Sequence, residues 1–418
     1  MDKTYEWAVI GSGIAGISIA EILSRQGHDV ILIEKNEGLA SETTREFHEW
    51  LHTGSLYTLI PDRLKTLRFV LGAIDDLIEF YSSYERMNII PTLEGLRIDN
   101  SNNGWFNDNY IYFNYRIKGR KVTFPWLIGV ARSIYLIKKI HQHDWLRRRA
   151  GEVEPFMKGF IPSLPSMLKE LITFSSKYKS VRTPDFGINS RILLRDMISN
   201  SINNGLQISL NNSIEAIYEE NGLKTLNGSK ENIKAKKVAI CSGEGIKKFS
   251  NVKISTTFAP IAVVSGVPRE TKSFVELDYF PKNCINLLTK DDGYGLAGGI
   301  TLRQKNQCDE YLDKVMQKHK KLNGSIKEEY RYIGLKNEIT FKNEPRGYLY
   351  HIVESGNDVW SIIPGKFSLA FSLAPEFYRR VYNKNPSKKF TPIRLDMDSN
   401  QFVSNTVWFD ILNKNRKK

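Results

Sequence analysis

The run Tyr5-Glu6-Trp7-Ala8-Val9-Ile10-Gly11-Ser12-Gly13-Ile14-Ala15-Gly16 constrains this chain more than any other segment. An apolar stretch enters a G-x-G-x-x-G turn, a helix of small and apolar residues follows from Ile17 to Arg25, and a second strand, Asp29 to Ile33, ends in Glu34-Lys35. That is the order of a dinucleotide-binding βαβ unit. Gly11 permits the tight turn, and Gly13 lets the backbone approach a pyrophosphate. Gly16 lets helix and strand pack closely, so that the N–H groups of Ser12, Ile14 and Ala15 present themselves to phosphate. Glu34, at the tip of the second strand, is placed to accept hydrogen bonds from ribose hydroxyls, with Lys35 beside it.

At 418 residues the chain is long enough for two domains. Cys241, Cys284 and Cys308 are few and widely spaced, which suits neither a disulfide framework nor a zinc pattern and fits a reducing cytoplasm. Met1-Asp2-Lys3 lacks the apolar core of a signal peptide. The apolar-leaning segment Phe124 to Ile140 is interrupted by Arg132, Lys138 and Lys139 and is too short to span a bilayer. His48-Glu49-Trp50-Leu51-His52 matches the H-E-x-x-H zinc pattern, but Thr53-Gly54 would end the required helix at once, and His141-x-His143 is a poorer case, so no metal is expected.

The formal net charge of +14 admits an anionic substrate, an acidic partner, a membrane surface or RNA; a lysine-rich surface explains it equally. The charge concentrates only at Arg147-Arg148-Arg149 and at Lys414-Asn415-Arg416-Lys417-Lys418, the latter read as a frayed, solvated tail.

Further along, the spacing of Leu64, Leu67, Val70, Leu71, Ile74, Leu77 and Ile78 predicts an amphipathic helix over Asp62 to Tyr84. Alternating residues around Tyr110, Tyr112 and Tyr115 predict antiparallel strands, with helices near Phe124 to Trp145 and Ser163 to Tyr178. Ser190 to Asn203 reads as a helix closed by Asn204-Gly205. Leu206 to Leu210 and Ser213 to Tyr218 read as strands, with a hairpin at Asn221-Gly222. Lys237 to Cys241 is a buried strand running into Ser242-Gly243-Glu244-Gly245. Antiparallel strands recur at Phe258 to Val267, Phe274 to Tyr279 and Gly295 to Leu302, around a charged helix over Cys308 to Leu322. Val359 to Ile363 is a strand, Pro364-Gly365 a turn, and Phe367 to Tyr382 a helix. A second G-x-G-x-x-G, Gly293 to Gly298, has polar residues before it and no helix after it, so it lacks the context for a pyridine nucleotide.

This order resembles the D-amino-acid-oxidase-like superfamily of FAD-dependent oxidoreductases, over roughly Tyr5 to Tyr382. The resemblance rests on the fingerprint with Glu34 and on the hydroxyl-rich loop Ala40-Ser41-Glu42-Thr43-Thr44-Arg45, followed by His52-Thr53-Gly54-Ser55-Leu56-Tyr57. It also rests on Glu154-Pro155 with Thr183-Pro184-Asp185, on Ser213-Ile214, on Val238 to Gly245 and on Gly365-Lys366-Phe367-Ser368. It departs at Gly334-Leu335-Lys336, where relatives carry an arginine, and at Phe47-His48-Glu49-Trp50, where they carry an Asn/Ser-Gly pair.

The resemblance implies an α/β fold: a Rossmann-like FAD-binding domain from residues 1–90, 180–250 and 350–385, and an inserted α+β substrate domain on a mostly antiparallel sheet from 91–179 and 251–349. Residues 386–418 form a C-terminal extension. FAD is the implied cofactor, with NAD the alternative; the later glycine turns at Gly243 and Gly365 suit an extended FAD. The family contacts carry over to Ser41, Thr43, Thr44, Arg45, Gly54, Ile214, Ser242, Gly243, Gly365, Lys366, Phe367 and Ser368.

The implied reaction is hydride transfer from a C–N or C–O bond of a small anionic amino or hydroxy acid to flavin, and then to oxygen or quinone. His52 is the candidate base or ring-positioning residue, and His48 or His52 a candidate for a covalent flavin link. Lys336, Arg346 and Arg303 are candidate anion clamps, with His351 an alternative to His52 and the Tyr110, Tyr112, Tyr115 cluster a candidate pocket wall. Four other readings stay open: a tRNA-modifying flavoenzyme, an NADPH-fed monooxygenase, a non-catalytic FAD scaffold, and a cytoplasmic protein touching a membrane through Phe124 to Arg149.

Overall fold

The strands Thr4–Ile10 and Val30–Ile33 carry apolar residues at nearly every position, and both faces are used. Trp7, Val9, Val30 and Leu32 face one core, whereas Ala8, Ile10, Ile31 and Ile33 face another. A strand buried on both faces belongs inside a parallel sheet covered on each side. The computed structural model describes residues 3–60, 65–92, 95–100, 103–120, 122–141, 163, 165, 169–170, 176–278, 284–339, 349–392 and 402–417.

Eight strands form the first sheet among these residues. Gln207–Ser209, Val30–Ile33, Thr4–Ile10 and Ile233–Ile240 run parallel in that order. Val359–Ile363 pairs parallel with the far end of Ile233–Ile240, and His351–Gly356 returns beside it. A meander of Ile214–Glu220 and Leu223–Gly228 completes the other edge. Its tight turn is Asn221-Gly222, both with positive φ (52° and 77°), the conformation that a two-residue hairpin favours. Register matters most: Ile10 pairs with Ile33 and with Ile240. The glycine turn, Glu34 and Ser242 therefore leave the sheet side by side at its carboxyl edge, where ligands bind in such sheets.

The helix Ile14–Arg25 is buried from Ile14 to Ser24. It packs against the helices Ser190–Asn203 and Ala370–Tyr382, and Lys65–Tyr81 packs on the latter. Even Glu21 lies inside, paired with Arg25 at 3.2 Å and accepting a hydrogen bond from Tyr84 at 2.8 Å.

The second sheet has seven strands among the described residues, in the order Lys327–Ile339, Ile254–Ser265, Gly295–Gly299, Ile285–Thr289, Phe274–Leu277, Tyr112–Arg116, Tyr178–Arg182. All neighbours are antiparallel except Phe274–Leu277 with Tyr112–Arg116. The helix Cys308–Leu322 covers one face through Leu312, Val315 and Met316. The Gly293 to Gly298 motif forms a turn and the strand Gly295–Gly299 of this sheet.

Two expectations need correction. Tyr178 begins a strand instead of ending a helix, and most of that predicted helix lies outside the described residues, as do Arg147, Arg148, Arg149, Glu154 and Pro155. The basic tail is not frayed: Val407–Arg416 is a helix whose Trp408 and Leu412 are buried against Ile261, Val263 and Leu296 of the second sheet. Apolar residues spaced through that segment drive the docking, and Arg416 adds an ion pair with Asp292. The helix Phe124–His141 directs Val130, Ile134, Ile137 and Ile140 into the interior, and Phe124 at its start is exposed. No helix among the described residues is long and apolar enough to cross a membrane.

Candidate active site

The turn from the first strand into the first helix is built by close approach. Gly11 has φ +92°, and a Cβ on Gly16 would stand 1.8 Å from the Gly11 carbonyl oxygen. Gly13 has no side chain of its own to cap the helix, so the first-turn N–H groups beyond Ile14 are left for a ligand. Thr44 Oγ1 accepts from the Ile14 amide at 2.9 Å, and a Cβ on Gly13 would come within 3.2 Å of that oxygen. Glu34 is buried and held by Ser12 Oγ at 2.6 Å, the Ser12 amide at 3.0 Å and the Asn36 amide at 3.0 Å. Its carboxylate is thus a fixed acceptor.

One cavity of about 660 Å³ joins these groups to distant parts of the chain. Gly11, Ser12, Gly13, Ile14 and Ala15 line it at the helix, and Glu34 and Lys35 at the second strand. Ser41, Thr43 and Thr44 line it from the following loop, and Ile214 from the meander. Ser242 and Gly243 follow the strand Ile233–Ile240, and Gly365, Lys366 and Phe367 follow Val359–Ile363. Lys336 enters from the second sheet, paired with Glu338 at 2.5 Å. A volume of this order suits a small-molecule or cofactor site.

Other predicted residues lie behind the wall. Gly16 packs on Gly11, and Gly54 (φ +116°) faces Leu67. Arg45 is drawn away to Asp410 of the C-terminal helix at 2.6 Å, which corrects its assignment as a cofactor contact. Ser368 Oγ accepts from the His52 amide at 3.0 Å. His52 itself lies against Trp50 with ring centroids 4.0 Å apart and the planes tilted by 32°, outside the cavity lining, and its buried Nδ1 has no hydrogen-bond partner among the described residues. Burial, and then the charges of Lys366 and Lys336, hold its pKa well below the ordinary histidine value, so the ring is neutral.

Arg346 lies outside the described residues, Arg303 is exposed, and His351 pairs with Ile363 in the first sheet. Tyr115 is core, hydrogen-bonded to Ser133, while Tyr110 lies under Arg182 and Tyr112 beside Lys272. None of the three lines the cavity.

His48 and His52 flank the short strand Trp50–Leu51, paired with Phe186–Ile188, so they do not share a helix face. Burial takes His48 down to about 4. Asp185 fixes this segment, accepting from Trp50 Nε1 at 2.9 Å, the Thr53 amide at 3.0 Å, Thr53 Oγ1 at 2.5 Å and Ser55 Oγ at 3.1 Å. Next to it, Glu49 accepts from Lys290 at 2.8 Å, Trp408 at 2.6 Å and Ser190 at 2.6 Å. Burial alone would raise the Glu49 carboxyl; Lys290 and these hydrogen bonds bring it below its usual value.

Sequence reasoning missed several cavity residues. Phe47 stacks at 4.4 Å on Phe367, which the resemblance did name, to form an aromatic end wall, and Glu46, Leu335 and Asn337 stand near it. The departures at Phe47 and at Leu335-Lys336 were the available signal, because loops that differ from their relatives' pattern often carry specificity.

The cavity fits an extended dinucleotide. It passes the helix start, the locked acid and the buried Ser242 Oγ, which has no partner among the described residues. Fold and cavity together define a dinucleotide-dependent oxidoreductase. The chain belongs to the DAO family of FAD dependent oxidoreductases, whose model matches residues 6–299. It is a flavoenzyme with FAD as cofactor, and NAD is set aside.

No curated protein matches the chain. Among solved structures, FAD-bound L-alpha-glycerophosphate oxidase from Mycoplasma pneumoniae is similar with a TM-score of 0.62 and 16% identity, covering 97% of this chain and 100% of that one. Glycine oxidase from Geobacillus kaustophilus gives 0.61 and 12%, covering 93% and 99%. L-amino acid deaminase from Proteus vulgaris gives 0.60 and 14%, covering 96% and 94%. At such identities the likeness is one of fold.

Proposed function

We propose that this flavoenzyme oxidises a C–N or C–O bond of a small anionic amino or hydroxy acid. The observation that carries the reading is a cavity that joins seven separated segments, with Lys336 and Lys366 at its aromatic end. FAD, when bound, supplies a hydride acceptor. Gly11 to Ala15 and the helix start hold the diphosphate, Glu34 the ribose, and Ile214 the adenine side. Ser242, Gly243 and the Gly365 to Phe367 turn line the remainder. Phe47 and Phe367 exclude water from the reacting end, and Lys336 and Lys366 attract an acid group. Neutral His52 is able to accept a proton, or it positions the segment that reaches the ring. The solved neighbours are named for glycerophosphate, glycine and L-amino acids, which supports the substrate class.

The test is anaerobic bleaching of the flavin by a panel of amino acids, 2-hydroxy acids and glycerol 3-phosphate. Bleaching by an amino or hydroxy acid supports the reading, and its reoxidation by oxygen or by a soluble quinone identifies the acceptor. A flavin that dithionite reduces but no panel member does would sink it. His52→Ala should keep its flavin and slow reduction by about 10²-fold; full turnover in that variant would remove His52 from the mechanism.

A further inference from the structure

A second cavity, of about 360 Å³, opens between Pro260, the helix Cys308–Leu322 and the strand Lys327–Ile339. It shares two lining residues with the cofactor cavity, Glu46 and Leu335. These residues form the partition between the two spaces. Each precedes a residue of the reacting end: Glu46 stands before Phe47, and Leu335 before Lys336. Gly334 makes the junction close, since a Cβ there would meet the Glu46 carbonyl oxygen at 3.3 Å.

Glu46 is half-buried, and its carboxylate accepts a hydrogen bond from the Leu335 amide. No cation lies within salt-bridge distance of it among the described residues. Its sequence neighbour Arg45 is engaged by Asp410 at 2.6 Å. Arg331, in the second cavity, is surrounded by Glu328 at 2.7 Å, Asp313 at 3.0 Å and Asp309 at 3.7 Å. Burial accordingly pushes the Glu46 carboxyl above its usual range. A partly desolvated carboxylate whose charge Arg45, itself paired with Asp410, offsets only in part still gains from a cation that enters the cavity.

Resting on the function proposed above, we infer that Glu46 binds the ammonium group of the substrate, so that the enzyme takes amino acids in preference to hydroxy acids. Lys336 and Lys366 then meet the substrate carboxylate, and Glu46 meets its ammonium, at one end of one cavity. A hydroxyl in the ammonium position leaves Glu46 unneutralised, and a phosphate group is repelled by it.

The experiment compares matched donors, glycine with glycolate and L- and D-alanine with L- and D-lactate, in the wild-type holoenzyme and in Glu46→Gln. Anaerobic flavin reduction and the donor-induced shift of the flavin spectrum are both read. The wild type should favour the amine of each pair by at least about tenfold in kcat/KM. Glu46→Gln should raise the KM for the amine about 10- to 100-fold and leave that of the hydroxy acid within about threefold, the size of one charged hydrogen bond.

A wild type that prefers the hydroxy acids overturns the inference and leaves the oxidoreductase reading standing. The same holds if Glu46→Gln weakens both donors equally while its flavin content is unchanged. A flavin that no donor reduces overturns both. If Glu46→Gln fails to hold flavin, the wild-type preference within each pair decides alone.

Discussion

Gly13 and Gly16 belong to one motif but answer to different forces. A Cβ on Gly16 would sit 1.8 Å from a backbone oxygen, and neither helix nor strand can give way by that much. A Cβ on Gly13 meets only the Thr44 hydroxyl at 3.2 Å, a contact that a side chain can relieve. Gly16→Ala should therefore lower the stability of the flavin-free protein by about 3 kcal/mol or more, as overpacking and strain do. Gly13→Ala should leave the flavin-free protein within about 1 kcal/mol of wild type and reduce flavin content at least about tenfold, because the methyl occupies the path to the helix amides. Thermal unfolding of both apo variants, beside their flavin-to-protein ratio, checks this. Equal destabilisation by the two changes would mean that Gly13 is needed for packing. Residues whose role is set by the local turn, such as Gly11, Gly13 and Glu34, were legible in the sequence. Arg45 was not, because its partner Asp410 lies at the far end of the chain and nothing near Arg45 announces it.

Elements whose own residues mark both ends were also readable. Ser190–Asn203 ends at Asn204-Gly205 and Cys308–Leu322 begins with acids and ends with bases, the arrangement that helix dipoles favour. The C-terminal helix Val407–Arg416 was obscured by its basic end. Its anchor is Trp408, 9% exposed, which donates to the buried Glu49 and packs on Ile261 and Leu296. The segment leading to it also pairs with the cofactor loop, through the Leu39 amide to Phe402 at 2.7 Å and the Ser404 amide to Leu39 at 2.9 Å. The helix thus ties the loop that carries Ser41 to Thr44 onto the second sheet. Trp408→Phe, which keeps most of the volume but removes the donor, should cost about 1–3 kcal/mol in denaturant unfolding. Trp408→Ala should cost about 3–5 kcal/mol, and the same variant should release flavin faster. An unchanged denaturation midpoint in Trp408→Ala would show that the helix is a passive appendage.

For the whole molecule, the consequence of the design is that the cofactor cavity is lined by residues from Ile10 to Phe367. The helix start, the second strand, the meander and two later turns converge there, and the second sheet contributes Leu335 to Asn337. A ligand that touches all of them links stretches of chain far apart in sequence, and its binding free energy becomes folding free energy. FAD at about a thousand times its Kd should add about 4 kcal/mol, which for a chain of this size raises Tm by roughly 5 °C. ADP meets only the glycine turn, Glu34 and the meander side, whereas FMN meets only the aromatic side. Each half pays its own loss of freedom on binding, and covalent linkage makes the second contact intramolecular. The expected order in a thermal shift measured at equal concentration is FAD well above either half, with the two halves together falling short of FAD. If FMN alone matched FAD, the adenine side of the cavity would contribute nothing, and the roles given to Glu34 and Ile214 would fall.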